Sequence, residues 1–422
     1  MKFYFIGIKG SGMSSLASLL KQDGNEVIGK DVEKYIYTQK ELQKKGIPVL
    51  SLEDRSYLNG NYYVVVGHDF YKEELVNELK NHNIDFSEYN EFISNYLKNN
   101  LICITGTNGK TTLTGMLTKG SKNASFLRGD GVSFRAKKEK YFFLEACEYK
   151  EHFLKYKPNF AIITNITYDH VDYFKTKEEY DSAFIKFASS ADKVLVNYQY
   201  KDIIDNENTY TYGLDKRADF YAKDYETTPF GIKGVVYYKG LKLIDFNFKN
   251  IFGEHLIEDV VATFAYYYLQ QEDLQIVKRN LESFSMPNKR FNITNLKNIA
   301  IINDYAHQPE QINADFKTIN KMYKNYIKVA LFRPDRISRI KYFYNDFINS
   351  LNQFDEIYLV DDEKNTFKVI LESMCDKKIK MYNRQNFKIY KNKKCVYCFM
   401  SSKNMDFIIK DLKRQYHKNK FF

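Results

Sequence analysis

The chain has 422 residues, 44% hydrophobic and 16% aromatic, which is enough apolar surface for several ordinary cores and too much for a disordered chain. A formal net charge of +11 and a pI near 9.0 favour anionic ligands, but the lysines are scattered rather than striped, so phosphate-bearing small molecules are expected and nucleic acid is not. Five scattered cysteines argue against a disulfide framework, and no apolar run reaches the roughly 18 residues of a membrane helix, so a cytoplasmic protein without membrane insertion is expected.

The first block opens with a strand expected over Phe3–Ile8, a glycine turn and a helix over Met13–Gln22. Further strands are expected at Glu26–Gly29, Tyr62–Val66 and Phe86–Ser87, with helical patterns over 38–45, 72–81 and 90–98 between them. The second block has strands at Tyr141–Ala146, Phe160–Asn165 and Lys193–Val196, a helix over Glu178–Ser189, β-rich sequence to Phe248 and a helix over Ile257–Leu269. Pro287–Arg290 reads as a linker. The third block alternates again, with strands at Ile299–Asn303, Lys328–Phe332, Glu356–Val360 and Cys395–Met400 and helices over Gln308–Met322, Lys341–Leu351 and Met405–Tyr416. Such alternation predicts an α/β fold of parallel sheets covered by helices, with domains at 1–98, 99–290 and 291–422. Cys395 and Cys398 have C-x-x-C spacing but lie inside a strand-like run, so a buried strand is expected rather than zinc or redox chemistry.

The most specific stretch runs from Ile102 to Thr112 and reads ICITGTNGKTT. An apolar strand ends in glycines, then a lysine and two hydroxyl residues open a helix. Backbone N–H groups and the helix N-terminus attract anions, Lys110 adds a point charge, and Thr111 suits Mg²⁺. The candidate phosphate-binding residues are therefore Gly106, Thr107, Asn108, Gly109, Lys110, Thr111 and Thr112. Ile104 stands where the standard phosphate loop has its first glycine.

Other candidates fall at strand ends, where ligands of α/β sheets gather. Gly7, Gly10, Ser11 and Gly12 form a turn that lets a backbone approach a diphosphate, and Asp31 after the second strand suits a ribose hydroxyl. The order G-x-x-G-x-G is not the dinucleotide fingerprint, so NAD is not expected. Glu145, in the segment Glu145-Ala-Cys-Glu148, is placed to hold Mg²⁺; His170 is a candidate second metal ligand and Asn165 a polar contact. Arg290 at the hinge suits a phosphate across a cleft, Asp304 a ribose and Tyr305 an adenine. Arg333, Arg336 and Arg339 at another strand tip suit carboxylate or phosphate recognition.

The shortened loop T-G-T-N-G-K-T resembles the ATP loop of the Mur ligases and folylpolyglutamate synthetases. The glycine turn with Met13-Ser-Ser-Leu-Ala17, the stretch Glu145 to Tyr173, Arg290-Phe291-Asn292 and Asp304-Tyr305-Ala306-His307 extend the likeness over nearly the whole chain, to the alanine-adding branch of the Mur ligase family. That resemblance implies three domains: a Rossmann-like N-terminal domain for a UDP-sugar, a central P-loop ATPase domain and a Rossmann-like C-terminal domain. It implies ATP and Mg²⁺ as cofactors and, as partners, the small molecules UDP-N-acetylmuramate, L-alanine and ATP. The implied reaction joins L-alanine to the lactyl carboxylate through an acyl phosphate. It implies Lys110, Asn165 and His170 as catalytic, Thr111, Glu145 and His170 on metal, and Arg290, Asp304, Tyr305 and His307 at the nucleotide. It implies Arg336 and Arg339 at the acceptor or amino acid. The chain departs from the family pattern at Asn108 and Asp335 (usually His), at Asp259 (usually an asparagine near adenine), at Gln308 (usually the second His of a pair) and at Ser401-Ser-Lys-Asn (usually a Gly-Ala-Gly-type turn). A paralogue using another amino acid or acceptor, and a nucleotide-binding pseudo-ligase, are the alternative readings.

Overall fold

The computed structural model describes residues 1–418 apart from 60, 98–99, 205–206, 229, 250, 361–378, 386 and 391. The division expected at 98/99 and the end of the helix expected over 90–98 lie outside the described residues, as does Cys375.

Each block builds its own sheet. In the first, five parallel strands lie in the order Val49–Leu50, Glu26–Lys30, Lys2–Ile6, Tyr63–Val66, Phe86–Glu88. The chain leaves the central strand Lys2–Ile6 at the point where strand order reverses, so the glycine turn opens at the switch point of the sheet. Gly7 forces the early end of that strand. Its φ is +86°, and an added Cβ would come within 2.6 Å of the Phe70 ring.

The second sheet has ten strands. Leu101–Thr105 sits inside it, flanked in parallel by Tyr141–Glu145 and Phe160–Ile163. All five of its residues are buried, as expected of a strand covered on both faces. At one edge, Phe220–Thr228, Gly231–Tyr238 and Leu241–Lys249 form an antiparallel ribbon; the last alternates buried and exposed residues because only one face meets the core. The helix Glu254–Leu269 packs against this ribbon and the helix Lys110–Gly120.

The third sheet runs Asn292–Asn295, Ile299–Asp304, Cys395–Met400, Ile327–Phe332, Glu356–Leu359, Ile379–Met381, parallel except for the first strand. Cys395 and Cys398 are fully buried in it.

The structure adds short elements beyond those read from sequence: strands Val49–Leu50, Ala124–Leu127, Ser133–Phe134 and Asn292–Asn295, and the helix Leu274–Leu281. The helix expected over Lys341–Leu351 starts at Ile337 and divides into Ile337–Tyr342 and Tyr344–Leu351 at Phe343. The strand expected over Phe160–Asn165 stops at Ile163, because Asn165 turns away to accept a hydrogen bond from the Thr107 N–H.

Candidate active site

The residues after Leu101–Thr105 form a loop that only glycine permits at two positions. Gly106 has φ +132°, and an added Cβ would collide with Thr164 Oγ1 and stand 2.9 Å from the Asn165 backbone N and O. Gly109, at φ +86°, precedes the helix Lys110–Gly120. Asn165 ties down the loop between them: its Oδ1 accepts from the Asn108 N–H at 2.9 Å and its Nδ2 donates to the Asn108 carbonyl at 2.9 Å. The Thr107 hydroxyl donates to the Thr167 carbonyl at 2.6 Å. The loop backbone is thus preset with a helix N-terminus behind it, the arrangement that suits phosphate.

Charge gathers beside the loop. Lys110 Nζ donates to Glu148 at 2.8 Å and to the carbonyls of Gly106 and Thr107. Glu148 is buried, which alone would raise its pKa, but the Lys110 charge and the His170 hydrogen bond hold it below the ordinary carboxylate range. Burial likewise works against the Lys110 ammonium, and Glu148 more than compensates. His170 Nε2 lies 3.3 Å from Glu148, its ring faces Tyr149 at 4.5 Å, and its Nδ1 is buried without a hydrogen-bond partner. The backbone of His170 is left-handed, at φ +54°, so the ring is aimed from a strained position. The Thr111 hydroxyl donates to the Glu145 carboxylate at 3.0 and 3.1 Å, and Glu145 also accepts the Gly129 N–H at 2.8 Å.

Among the described residues no three His, Cys, Asp or Glu side chains form a metal cage by themselves. The hard oxygens of Thr111, Glu145 and Glu148, with an imidazole whose Nδ1 has no partner, fit Mg²⁺, which draws on one or two carboxylates, substrate phosphates and water. Sequence reasoning quoted Glu148 only as part of the strand-end segment; its spacing of three from Glu145 was the available signal.

The hinge and the third block reach into this centre. Arg290 donates to the Thr111 hydroxyl at 3.1 Å and lies over the Tyr305 ring at 4.3 Å. Asp304 accepts the N–H groups of Phe291 and Ala306 and so shapes the turn that carries Arg290 and Tyr305. His307 Nδ1 lies 2.8 Å from the Tyr305 carbonyl, and burial pushes this imidazole down to about 4. Gln311 Nε2 donates to Asn108 Oδ1 at 2.6 Å.

The arginine tip is divided. Arg339 is buried and its guanidinium is taken by two carboxylates, Asp169 at 3.0 and 3.1 Å and Asp335 at 2.8 and 2.9 Å. Arg336 pairs with Asp172 at 3.2 Å, outside the central cavity, and Arg333 donates to the Asn404 carbonyl.

At the first block, Ser11 and Gly12 face the central cavity, together with Tyr35 and Tyr37, which sequence reasoning did not single out. Gly7, Gly10 and Asp31 do not line it. Asp31 instead accepts the N–H groups of Lys9 at 2.6 Å and Val32 at 2.7 Å, which fixes the turn after its strand.

Two cavities meet at the loop. One, of about 540 Å³, lies among all three blocks and is lined by Lys110, Thr111, Glu145, Glu148, His170 and Arg290, among others. The other, of about 250 Å³, also takes in Asn108 and Gly109 and is lined by residues of the second and third blocks.

Two family models match the chain, one described as "Mur ligase family, catalytic domain" over residues 2–100 and one as "Mur ligase middle domain" over residues 132–267. Together they take in more than half of its length. Among solved structures, the UDP-N-acetylmuramate-alanine ligase of Thermotoga maritima is similar over 100% of both chains, with a TM-score of 0.81 and 23% identity. The murein peptide ligase of Psychrobacter arcticus is similar over 99% of this chain and 98% of its own, with a TM-score of 0.72 and 18% identity. The MurF ligase of Thermotoga maritima in complex with ADP is similar over 93% of this chain and 95% of its own, with a TM-score of 0.65 and 15% identity. At these identities the likeness is one of fold.

Proposed function

Because this chain belongs to the Mur ligase family, we propose that it joins L-alanine to the lactyl carboxylate of UDP-N-acetylmuramate at the expense of ATP. It is an ATP-dependent, amide-forming ligase of peptidoglycan-precursor synthesis. Among the described residues no helix is long and apolar enough to cross a membrane. The observation that carries the proposal is the phosphate loop: Lys110 and the Thr111–Glu145 pair open into a cavity to which all three domains contribute.

In this reading the triphosphate lies along Gly106–Thr112, with its terminal phosphoryl group toward the 540 Å³ cavity and its base toward the smaller one. Mg²⁺ at Thr111 and Glu145, and a second ion at His170 with Glu148, neutralise phosphoryl charge when bound. Lys110 and the loop N–H groups stabilise the charge that builds up in the transition state, and Asn165 holds the loop in register for them. The sugar nucleotide lies toward Ser11 and Gly12. Its lactyl oxygen attacks the γ-phosphorus as ADP leaves. The amine nitrogen of the amino acid then attacks the acyl carbon, and inorganic phosphate departs. A carboxylate is inert to amines until it carries such a leaving group. Arg290 from the hinge and Tyr305 from the third domain close the site, and Arg339 acts through Asp169 on the adjoining His170.

A second reading, transfer of a different amino acid, is favoured by the ion cluster at the arginine tip. Asp335 and Asp169 occupy Arg339, so this guanidinium is not free for the carboxylate of a small amino acid. Phosphate release with ATP, Mg²⁺ and UDP-N-acetylmuramate, screened over the amino acids, decides between them. Release with L-alanine alone supports the first reading, release with another amino acid the second, and nucleotide binding without any release overturns both.

A further inference from the structure

Glu145, the carboxylate beside the phosphate loop, is held from two elements. The Thr111 hydroxyl donates to it from the helix Lys110–Gly120, and the Gly129 N–H donates to its Oε2 at 2.8 Å. Gly129 belongs to the turn 128–132, which joins the strands Ala124–Leu127 and Ser133–Phe134 into a hairpin. No larger residue fits there as the carboxylate now lies. A Cβ on Gly129 would stand 2.7 Å from Glu145 Oε1 and 3.0 Å from its Cδ. The backbone at Gly129 is not left-handed, so what the position demands is the space and not the φ angle.

The turn is braced internally and is fixed from outside the second domain. Within it the Arg128 N–H donates to the Val132 carbonyl at 3.1 Å, and the Arg128 guanidinium donates to Asp130 at 2.7 and 3.1 Å. Gly131, at φ +86°, lies against the first domain: a Cβ there would come 3.0 Å from Thr38 Cγ2 and 3.1 Å from Ser14 Oγ. The Ser15 hydroxyl donates to the Arg128 carbonyl at 2.6 Å, and Gln22 Nε2 to the Ser133 carbonyl at 3.3 Å. Ser15 and Gln22 belong to the helix Ser11–Gln22, whose first two residues face the central cavity. A turn fastened to the first domain thus ends on a carboxylate of the second, next to the phosphate loop.

We propose that Gly129 is a positioning residue for Glu145, and that through this turn the seat of the first domain sets the aim of the carboxylate toward its metal ion. This rests on the reading that Mg²⁺ binds at Thr111 and Glu145. The Gly129 N–H engages Oε2, and among the described residues Oε1 has only the Thr111 hydroxyl, so the two oxygens are made unequal. Being uncharged, the N–H orients the carboxylate without cancelling the charge that draws the cation. Groups that orient a metal ligand in this way commonly govern 10- to 100-fold in metal affinity.

The test is titration of the full chain with Mn²⁺ in the presence of ADP, read from the electron paramagnetic resonance of free Mn²⁺, with melting temperatures alongside. Gly129→Ala should weaken Mn²⁺ binding about tenfold or more. It should melt close to the native protein, since the atoms that must give way are the end of a flexible side chain. In turnover the same variant should need about tenfold more Mg²⁺ and should recover at saturating Mg²⁺. Glu145→Asp draws the carboxylate back by a methylene and clears the added Cβ. In that background Gly129→Ala should weaken Mn²⁺ by less than about twofold further. Ser15→Ala, which adds no atom near the site, should weaken Mn²⁺ about threefold. Native Mn²⁺ affinity in Gly129→Ala, or its full loss repeated on top of Glu145→Asp, overturns the positioning role. Native affinity in Ser15→Ala overturns the link to the first domain. If Glu145→Gln binds Mn²⁺ as the native protein does, the metal reading itself falls. A clear loss in Glu145→Gln with none in Gly129→Ala leaves that reading standing and removes only the positioning role.

Discussion

The two cavities that meet at the phosphate loop are flanked by two populations of acids that differ in their partners. On the larger side Glu148 faces Lys110 and His170, and Asp169 and Asp335 share Arg339; all three carboxyls are held below their ordinary range despite burial. At the smaller cavity, among the described residues, Asp259, Asp315 and Glu258 have no such cation in hydrogen-bond contact and are displaced upward. Burial pushes in the same direction on both sides, so the cations decide the charge state. The cavity with fixed charges suits phosphoryl transfer, whereas burial at the other disfavours the ionised form of its acids.

The largest effect should come from removing the lysine that anchors the charged side. Lys110→Ala is expected to lower turnover by about 10³-fold or more, because the phosphoryl charge loses its fixed counter-charge. It should also cost about 3 kcal/mol of stability, since Glu148 is left buried with only His170 beside it. Adding Glu148→Gln should restore the melting temperature without restoring turnover; kinetics and thermal melts on the two variants separate the roles.

Next is Arg339→Leu, which strands two carboxylates at once and should cost about 3–5 kcal/mol in denaturant titrations. The pH dependence sharpens the point. Asp169 is held at about 2 against an ordinary 3.8, so its contribution is fully present above 3.8 and is lost as pH falls through about 2. The native protein should therefore lose stability over that acid window, and the Arg339→Leu protein should lose less.

The smallest effect lies on the neutral side and has the opposite sign. Glu258 is raised from 4.5 to about 7 by burial, so the unfolded chain releases its proton first and the native state is penalised as pH rises between these values. Glu258→Gln should stabilise by up to about 3 kcal/mol at pH 8 and by almost nothing at pH 4. Equal gains at both pH values would break the contrast between the two sides.

The loop and its strand were legible because their chemistry is contiguous: two glycines that need left-handed backbone, then Lys110 and Thr111 on the first helical turn. The parallel sheets were legible from strand–helix alternation and from apolar runs such as Cys395–Met400. The role of Glu148 was not, because its partners are 38 and 22 positions away and only tertiary folding brings them together. The occupation of Arg339 was hidden for the same reason; its carboxylate Asp169 comes from another domain. Strands as short as Val49–Leu50 carry no readable period, and the turn role of Asp31 depends on Lys9 lying across from it.

Arg290 from the hinge and Gln311 from the third domain reach Thr111 and Asn108, residues of the loop itself. In the proposed reading, where the triphosphate lies on this loop, the orientation of that domain and the grip on the nucleotide are thermodynamically linked, and linkage is reciprocal. A substitution at the hinge that lowers the fraction of molecules with Arg290 and Gln311 on the loop would then weaken nucleotide binding in the same proportion. On that reading, nucleotide affinity would be a gauge of how the third domain sits on the loop.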